Sequence, residues 1–153
     1  GTFPDGKSYY AGIDTIVRGY ELEVSGRLTD RWWLSGGWTD LSIHDPAGQD
    51  VRLYAPRQTF KLSTTYTIRE LNNLKLGGAV RWQGATSTVD INTVPPGHSS
   101  VLALVAGIDI TDNLGATLIV RNIADEKYFN SLRWNQAFIC APRCVTFNLA
   151  YRL

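Results

Sequence analysis

Residues 144–153 read CVTFNLAYRL, and every second one after the cysteine is apolar: Val145, Phe147, Leu149, Tyr151 and Leu153. Thr146, Asn148, Ala150 and Arg152 occupy the places between. Side chains of a β-strand alternate between its two faces, so the stretch predicts a strand with one apolar and one mixed face. Such a strand suits the edge of a soluble sandwich or the wall of a membrane barrel.

Six further stretches repeat the pattern. Tyr20, Leu22 and Val24 alternate with Glu21, Glu23 and Ser25, and Trp32, Leu34 and Trp38 with Trp33, Ser35 and Thr39. The third sets Gln58, Phe60, Leu62, Thr64, Tyr66 and Ile68 against Thr59, Lys61, Ser63, Thr65 and Thr67. The fourth sets Leu74, Leu76, Val80 and Trp82 against Lys75, Gly77, Arg81 and Gln83. Leu102, Leu104, Ala106 and Ile108 alternate with Ala103, Val105, Gly107 and Asp109, and Leu114, Leu118 and Val120 with Gly115, Ile119 and Arg121. The connections alternate too. Thr29-Asp30-Arg31, residues 69–73 and Thr111-Asp112-Asn113 are short, whereas residues 44–56, 86–99 and 123–143 are long. Long loops gathered at one end are expected of a transmembrane barrel, with short periplasmic turns and longer outer loops. Strands of about ten residues also suit a tilted crossing.

Composition is consistent with this. The 153 residues carry 19% charged side chains and a net charge of +1, which gives no reason to expect a nucleic-acid partner. Five Trp, seven Tyr and 14 Gly with no Met favour a β-rich chain, and no apolar run is long enough for a spanning helix. The mixed face holds Glu21, Glu23, Arg27, Lys61, Lys75, Arg81, Asp109, Arg121 and Arg152. In a membrane barrel that face lines the lumen and the apolar face meets lipid. A solvated sandwich face explains the alternation equally well, but not the asymmetry of the loops.

Five segments then carry a family resemblance: GYELEVSG (19–26), APRQTFKLSTTY (55–66), LKLGGAVRWQG (74–84), VRNIADEKYFNS (120–131) and APRCVTFNLAYRL (141–153). In content and order the chain resembles the TonB-dependent siderophore receptors, with most specificity in the turn Asn122, Ile123, Asp125, Tyr128 and in the P-R-x-V that leads into the last strand. Its flavour is that of the ferric hydroxamate and pyoverdine group. The resemblance implies an all-β, antiparallel transmembrane barrel, of which about seven strands out of some twenty-two are present. It implies that residues 1–153 are the C-terminal part of the barrel domain, with the plug domain and earlier strands absent. It makes the alternating terminal strand an assembly signal for the barrel assembly machinery, although Leu153 stands where the family usually has Phe or Trp.

The implied function is outer-membrane transport of ferric siderophores energised through TonB, with no cofactor beyond the transported chelate. Partners would then be the ferric siderophore, outer-membrane lipid and, through the absent N-terminal region, the TonB complex. The alternative is a small outer-membrane barrel enzyme or adhesin. It lacks support, because His44 and His98 lie in separate loops with no Ser or Asp at hydrolase spacing. Both histidines are expected to be merely solvated.

Among loop residues, Tyr54, Arg133, Trp134 and Phe138 are the ligand-binding candidates, since rigid rings and a guanidinium can hold a bulky, partly anionic chelate. Tyr9, Tyr10 and Phe129 are further loop aromatics, and packing between loops is the competing reading for all of them. Cys140 and Cys144, in an oxidising compartment, are expected to form a disulfide. A metal pair there has no neighbouring His or acidic cluster. Trp32, Trp33 and Tyr151 are expected at the lipid interface of the short-turn side, with Trp38 and Trp82 nearer the other side.

Overall fold

The computed structural model describes residues 4–7, 12, 14–86, 97–133 and 136–152, with backbone alone for 129–133 and 136–138. Its strands are β1 (Ile16–Thr29), β2 (Trp32–His44), β3 (Gln58–Ile68), β4 (Leu74–Thr86), β5 (Gly97–Asp109), β6 (Leu114–Arg121), β7 (Phe129–Arg133), β8 (Gln136–Ile139) and β9 (Cys144–Tyr151). Seven form one antiparallel sheet in the order β1-β2-β3-β4-β5-β6-β9, and β7 with β8 make a separate hairpin. The expected seven strands are all present. The hairpin is an addition, built inside what the sequence predicts to be a long loop.

Register keeps the two faces apart across the whole sheet. Glu23, Gly37, Lys61, Arg81 and Val101 are successive partners in one row. The next row joins Ser25, Ser35, Ser63, Ala79, Ala103, Arg121 and Cys144. A cavity of about 510 Å³ is lined by this face from β1 to β6, so the sheet curls with its mixed face inward. The other face carries Leu22, Leu104, Phe147 and Leu149 with 56–63% of their surface exposed. Among the described residues Ile43 is the buried apolar side chain, so the sheet has almost no core of its own. A wall between lipid and lumen needs none, because lipid covers the apolar face.

Aromatic residues mark two levels on that outer face. Trp38, Phe60 and Trp82 are neighbours at the long-loop end. Trp38 stacks on Trp82 with centroids 5.9 Å apart and planes 8° apart, and Phe60 tilts against Trp38 at 6.3 Å. Six residues along each strand, roughly 20 Å, stand Trp32, Tyr66 and Leu76. The Trp32 indole Nε1–H donates to Thr64 Oγ1 at 2.7 Å, and that hydroxyl donates to the Trp33 carbonyl at 3.1 Å. The Trp32 indole N–H and the Thr64 hydroxyl are thereby satisfied within the sheet. Trp33 departs from expectation. It pairs with Arg27 and Thr65 in the inward rows, because adjacent strand residues cannot share a face, and so it belongs to the lumen.

The short turns interlock along the opposite rim. Leu74 N–H donates to Leu71 O across Asn72 and Asn73, whose φ values of 50° and 53° give the left-handed pair of a tight hairpin turn. Asp109 N–H donates to Asn72 O, Asn73 Nδ2 to Asp109 Oδ2, and Arg152 N–H to Asn113 O. Arg31 pairs with Glu70 at 2.7 Å. Glu70's own backbone N–H and this guanidinium hold its carboxyl below the ordinary range.

Close packing of the wall gives a direct test. A Cβ on Gly77 would stand 2.7 Å from Val105 Cγ1 and 2.8 Å from the Thr64 carbonyl. Gly77→Val should therefore cost about 1–3 kcal/mol in a urea titration of the complete barrel in lipid.

Candidate functional site

The long-loop end is organised around one turn. Asn122, 4% exposed and at φ 51°, follows β6 directly. Its side chain accepts from Glu126 N–H at 2.9 Å and donates to the carbonyls of Glu126 at 3.0 Å and Ala141 at 3.2 Å. Asp125 N–H donates back to Asn122 O, and Asp125 Oδ1 accepts from Arg143 N–H at 2.8 Å. Glu126 reaches sideways, both carboxylate oxygens lying 3.2 Å from Ser100 N–H. Cys140 N–H donates to Tyr128 O. The turn thus ties β5, β6, the base of the β7–β8 hairpin and the segment entering β9. Asn is suited to this place because it tolerates a positive φ and offers both donor and acceptor.

The predicted loop residues are distributed over two connections. Tyr54 lies in the β2–β3 loop, where its hydroxyl accepts from Arg52 Nη1 at 3.0 Å. That loop folds back on β2. The Arg57 guanidinium donates to Ile43 O and Val51 O, and Asp50 Oδ1 lies 3.3 Å from His44 Nδ1 and 3.7 Å from Arg57. His44 closes β2 beside this acid, and its Nδ1 makes no hydrogen bond among the described residues. Arg133 and Phe138 fall on the hairpin, paired with Gln136 and Ser131 respectively. Trp134, Tyr9 and Tyr10 lie outside the described residues, and of Phe129 only the backbone is described.

The expected disulfide is not formed in this structure. Cys140 and Cys144 stand as free thiols. Cys144 opens β9 opposite Arg121, with its sulfur 3.9 Å from Thr146 Oγ1. Cys140 is turned toward the Tyr128 phenol. Burial, and then this thiol, push the phenol's pKa up.

Sequence reasoning did not single out the lumenal cavity beneath these loops. Glu23, Lys61, Arg81, Arg121 and Tyr128 line it, among Ser25, Ser35, Ser63, Ala79 and Ala103. Arg81 Nη2 donates to Gln83 Oε1 at 3.1 Å, which props the guanidinium toward the outer end of the strand. The signal lay in the inward positions of six strands, which only the register brings to one place.

The family model for the β-barrel of TonB-dependent receptor-like proteins matches residues 1–123. The ferripyoverdine receptor of Pseudomonas aeruginosa is 31% identical over 148 residues, which cover 91% of this chain and 18% of that protein. The ferric-pyoverdine BN7/BN8 receptor of Pseudomonas putida is 32% identical over 123 residues, covering 80% of this chain and 15% of the relative. The crystal structure of the outer-membrane P. aeruginosa receptor bound to ferripyoverdine superposes on 98% of this chain and 21% of its own, with TM-score 0.81 and 30% identity. The chain therefore spans about a fifth of the length of these proteins. Its strand order, its inward and outward faces and its turn at Asn122 together with these likenesses show that it belongs to the TonB-dependent receptor family, as part of the outer-membrane β-barrel.

Proposed function

We propose that the complete receptor captures a ferric siderophore of the pyoverdine class and imports it with energy delivered through TonB, this chain supplying barrel wall and outer loops. The observation that carries the reading is the likeness to ferripyoverdine receptors over almost the whole chain. No chemical step is assigned to these residues. Their role is to hold a hydrophilic passage in lipid and to present loops to the medium. Expressing the complete receptor in cells that lack pyoverdine receptors tests this: iron-loaded ferripyoverdine should be taken up, and uptake should stop when TonB is removed. Cells that bind and import none would overturn it.

Loop capture makes a sharper demand. Replacing Tyr54, Arg133, Trp134 and Phe138 together by alanine should weaken ferripyoverdine binding at least about tenfold, since binding energy concentrates in aromatic and Arg anchors. Unchanged affinity would place the contacts on other parts of the receptor. Three residues separate Cys140 from Cys144, and in the oxidising outer envelope they are proposed to join. Alkylation of native membranes before reduction should then label neither thiol.

A further inference from the structure

Two buried nitrogens meet at the foot of the β2–β3 loop, residues 45–57. His44 Nδ1 and Arg57 Nη1 are both shielded from water, and neither has a hydrogen-bond partner among the described residues. A buried polar group left without a partner costs stability, so each calls for a reason. Arg57 makes its bonds through Nη2, to Ile43 O at 3.1 Å and Val51 O at 2.7 Å, and Nη1 is spare. His44 makes none through Nδ1, although Asp50 Oδ1 lies 3.3 Å away. With no proton on Nδ1, a ring lone pair faces the carboxylate and the two acceptors have nothing to share. A proton there turns the same contact into a charge-assisted bond.

The backbone brings the pair together. His44 and Asp50 are bridged as antiparallel partners, and Val51 N–H donates to Ile43 O, so the loop doubles back on the end of β2. Asp45 starts the reversal: its N–H donates to Gln49 O, and its Oδ1 accepts from Gln49 N–H at 2.8 Å. Gly48 at φ 82° completes it. The other charges around His44 are already placed. Arg52 reaches to Thr15 and Tyr54, and Asp40, further down β2, accepts from Gln58 Nε2. On β1, Ile16 stands opposite His44 and Arg18 opposite Ser42, with Asp14 two residues before Ile16. Among the described residues Asp50 alone lies within ion-pair range of His44, and it is shared with Arg57 at 3.7 Å.

We propose that His44 and Asp50 form a proton-operated clamp on this outer loop. With the imidazole charged, residues 45–50 are pinned to the end of β2; with it neutral, the pin is released. Imidazoles change charge between about pH 5 and 8, so the clamp is closed in acid medium and opens as pH rises. Arg57 keeps the base of the loop tied to Ile43 and Val51 in both states. The Asp50 side chain is 64% exposed, and water screens the pair, so the effect is moderate. Tyr54 lies on the same loop, and the clamp therefore sets how firmly this capture candidate is held.

The test uses the complete receptor in lipid vesicles, with Cys140 and Cys144 changed to serine and a nitroxide at Ala47→Cys. Between pH 8 and pH 5.5 the mobile fraction of the label should fall about fivefold, the gain expected of a partly exposed ion pair. His44→Gln cannot charge, and Asp50→Asn removes the anion, so each should abolish this tightening. A label at Asp112→Cys, on the short-turn rim, should not respond. A label at residue 47 indifferent to pH would overturn the clamp. So would a response that survives in either variant, because another group would then be titrating. An equal response at residue 112 would show that acid acts on the whole barrel, and would overturn it as well.

Discussion

Replacing Leu104 with arginine should cost the folded barrel about 2–4 kcal/mol, the penalty of a cation on the lipid face near mid-bilayer. Leu104 is 56% exposed on the outward side of β5. It pairs with Gly78 and Val120, between the two levels of aromatic residues. Its neighbour Ala103 lines the lumen, where water can solvate a new charge. Ala103→Arg should therefore cost well under that amount, although the two positions are adjacent in sequence. Urea titration of both variants refolded into vesicles reads the difference. Equal costs would mean that the two faces had been assigned wrongly.

The second large effect is expected at Asn122. Asn122→Ala removes three side-chain hydrogen bonds from a nearly buried position and leaves a Cβ residue at φ 51° with no local compensation. Lost bonds to buried groups and the positive φ together predict about 3 kcal/mol of local destabilisation. Asn122→Gly relieves the backbone but not the bonds, so it should fall between wild type and alanine. Asn122→Asp keeps the acceptor for Glu126 N–H and loses both donors. The damage should be local, because the turn ties loop to wall while the wall is held by its own ladders. Limited proteolysis should cut residues 123–143 in the alanine variant and leave the sheet intact. A protease pattern like that of wild type would show that the hairpin is secured elsewhere.

How legible this was in the sequence depended on what each feature rests on. The wall strands were readable because one face must meet lipid, which forces strict alternation; Phe60 to Ile68 against Thr59 to Thr67 is an example. The β7–β8 hairpin was not readable, because a register shift between Phe129 and Ser131 breaks the period by which strands are recognised. Trp33 was misplaced for a different reason. Aromatic character at a strand end suggested the interface, while the strict alternation with Trp32 assigned it to the lumen. The turn at Asn122 was visible as a motif, but its partners at Ser100, Ala141 and Arg143 are far away in sequence. Lys61 and Arg81 could be assigned to the inward face from alternation. That they stand opposite each other follows only from the β3–β4 register.

The claim beneath all of this is that one side of the sheet faces lipid and the other a watery lumen. Nitroxide labels placed one at a time on cysteines at residues 60–65 of β3 in the complete receptor, with Cys140 and Cys144 changed to serine, test it directly in lipid vesicles. Labels at 60, 62 and 64 should be relaxed mainly by oxygen dissolved in the bilayer. Those at 61, 63 and 65 should respond mainly to a water-soluble nickel chelate, giving a period of two. Accessibility with no alternation, or with the two reagents exchanged, would contradict the account.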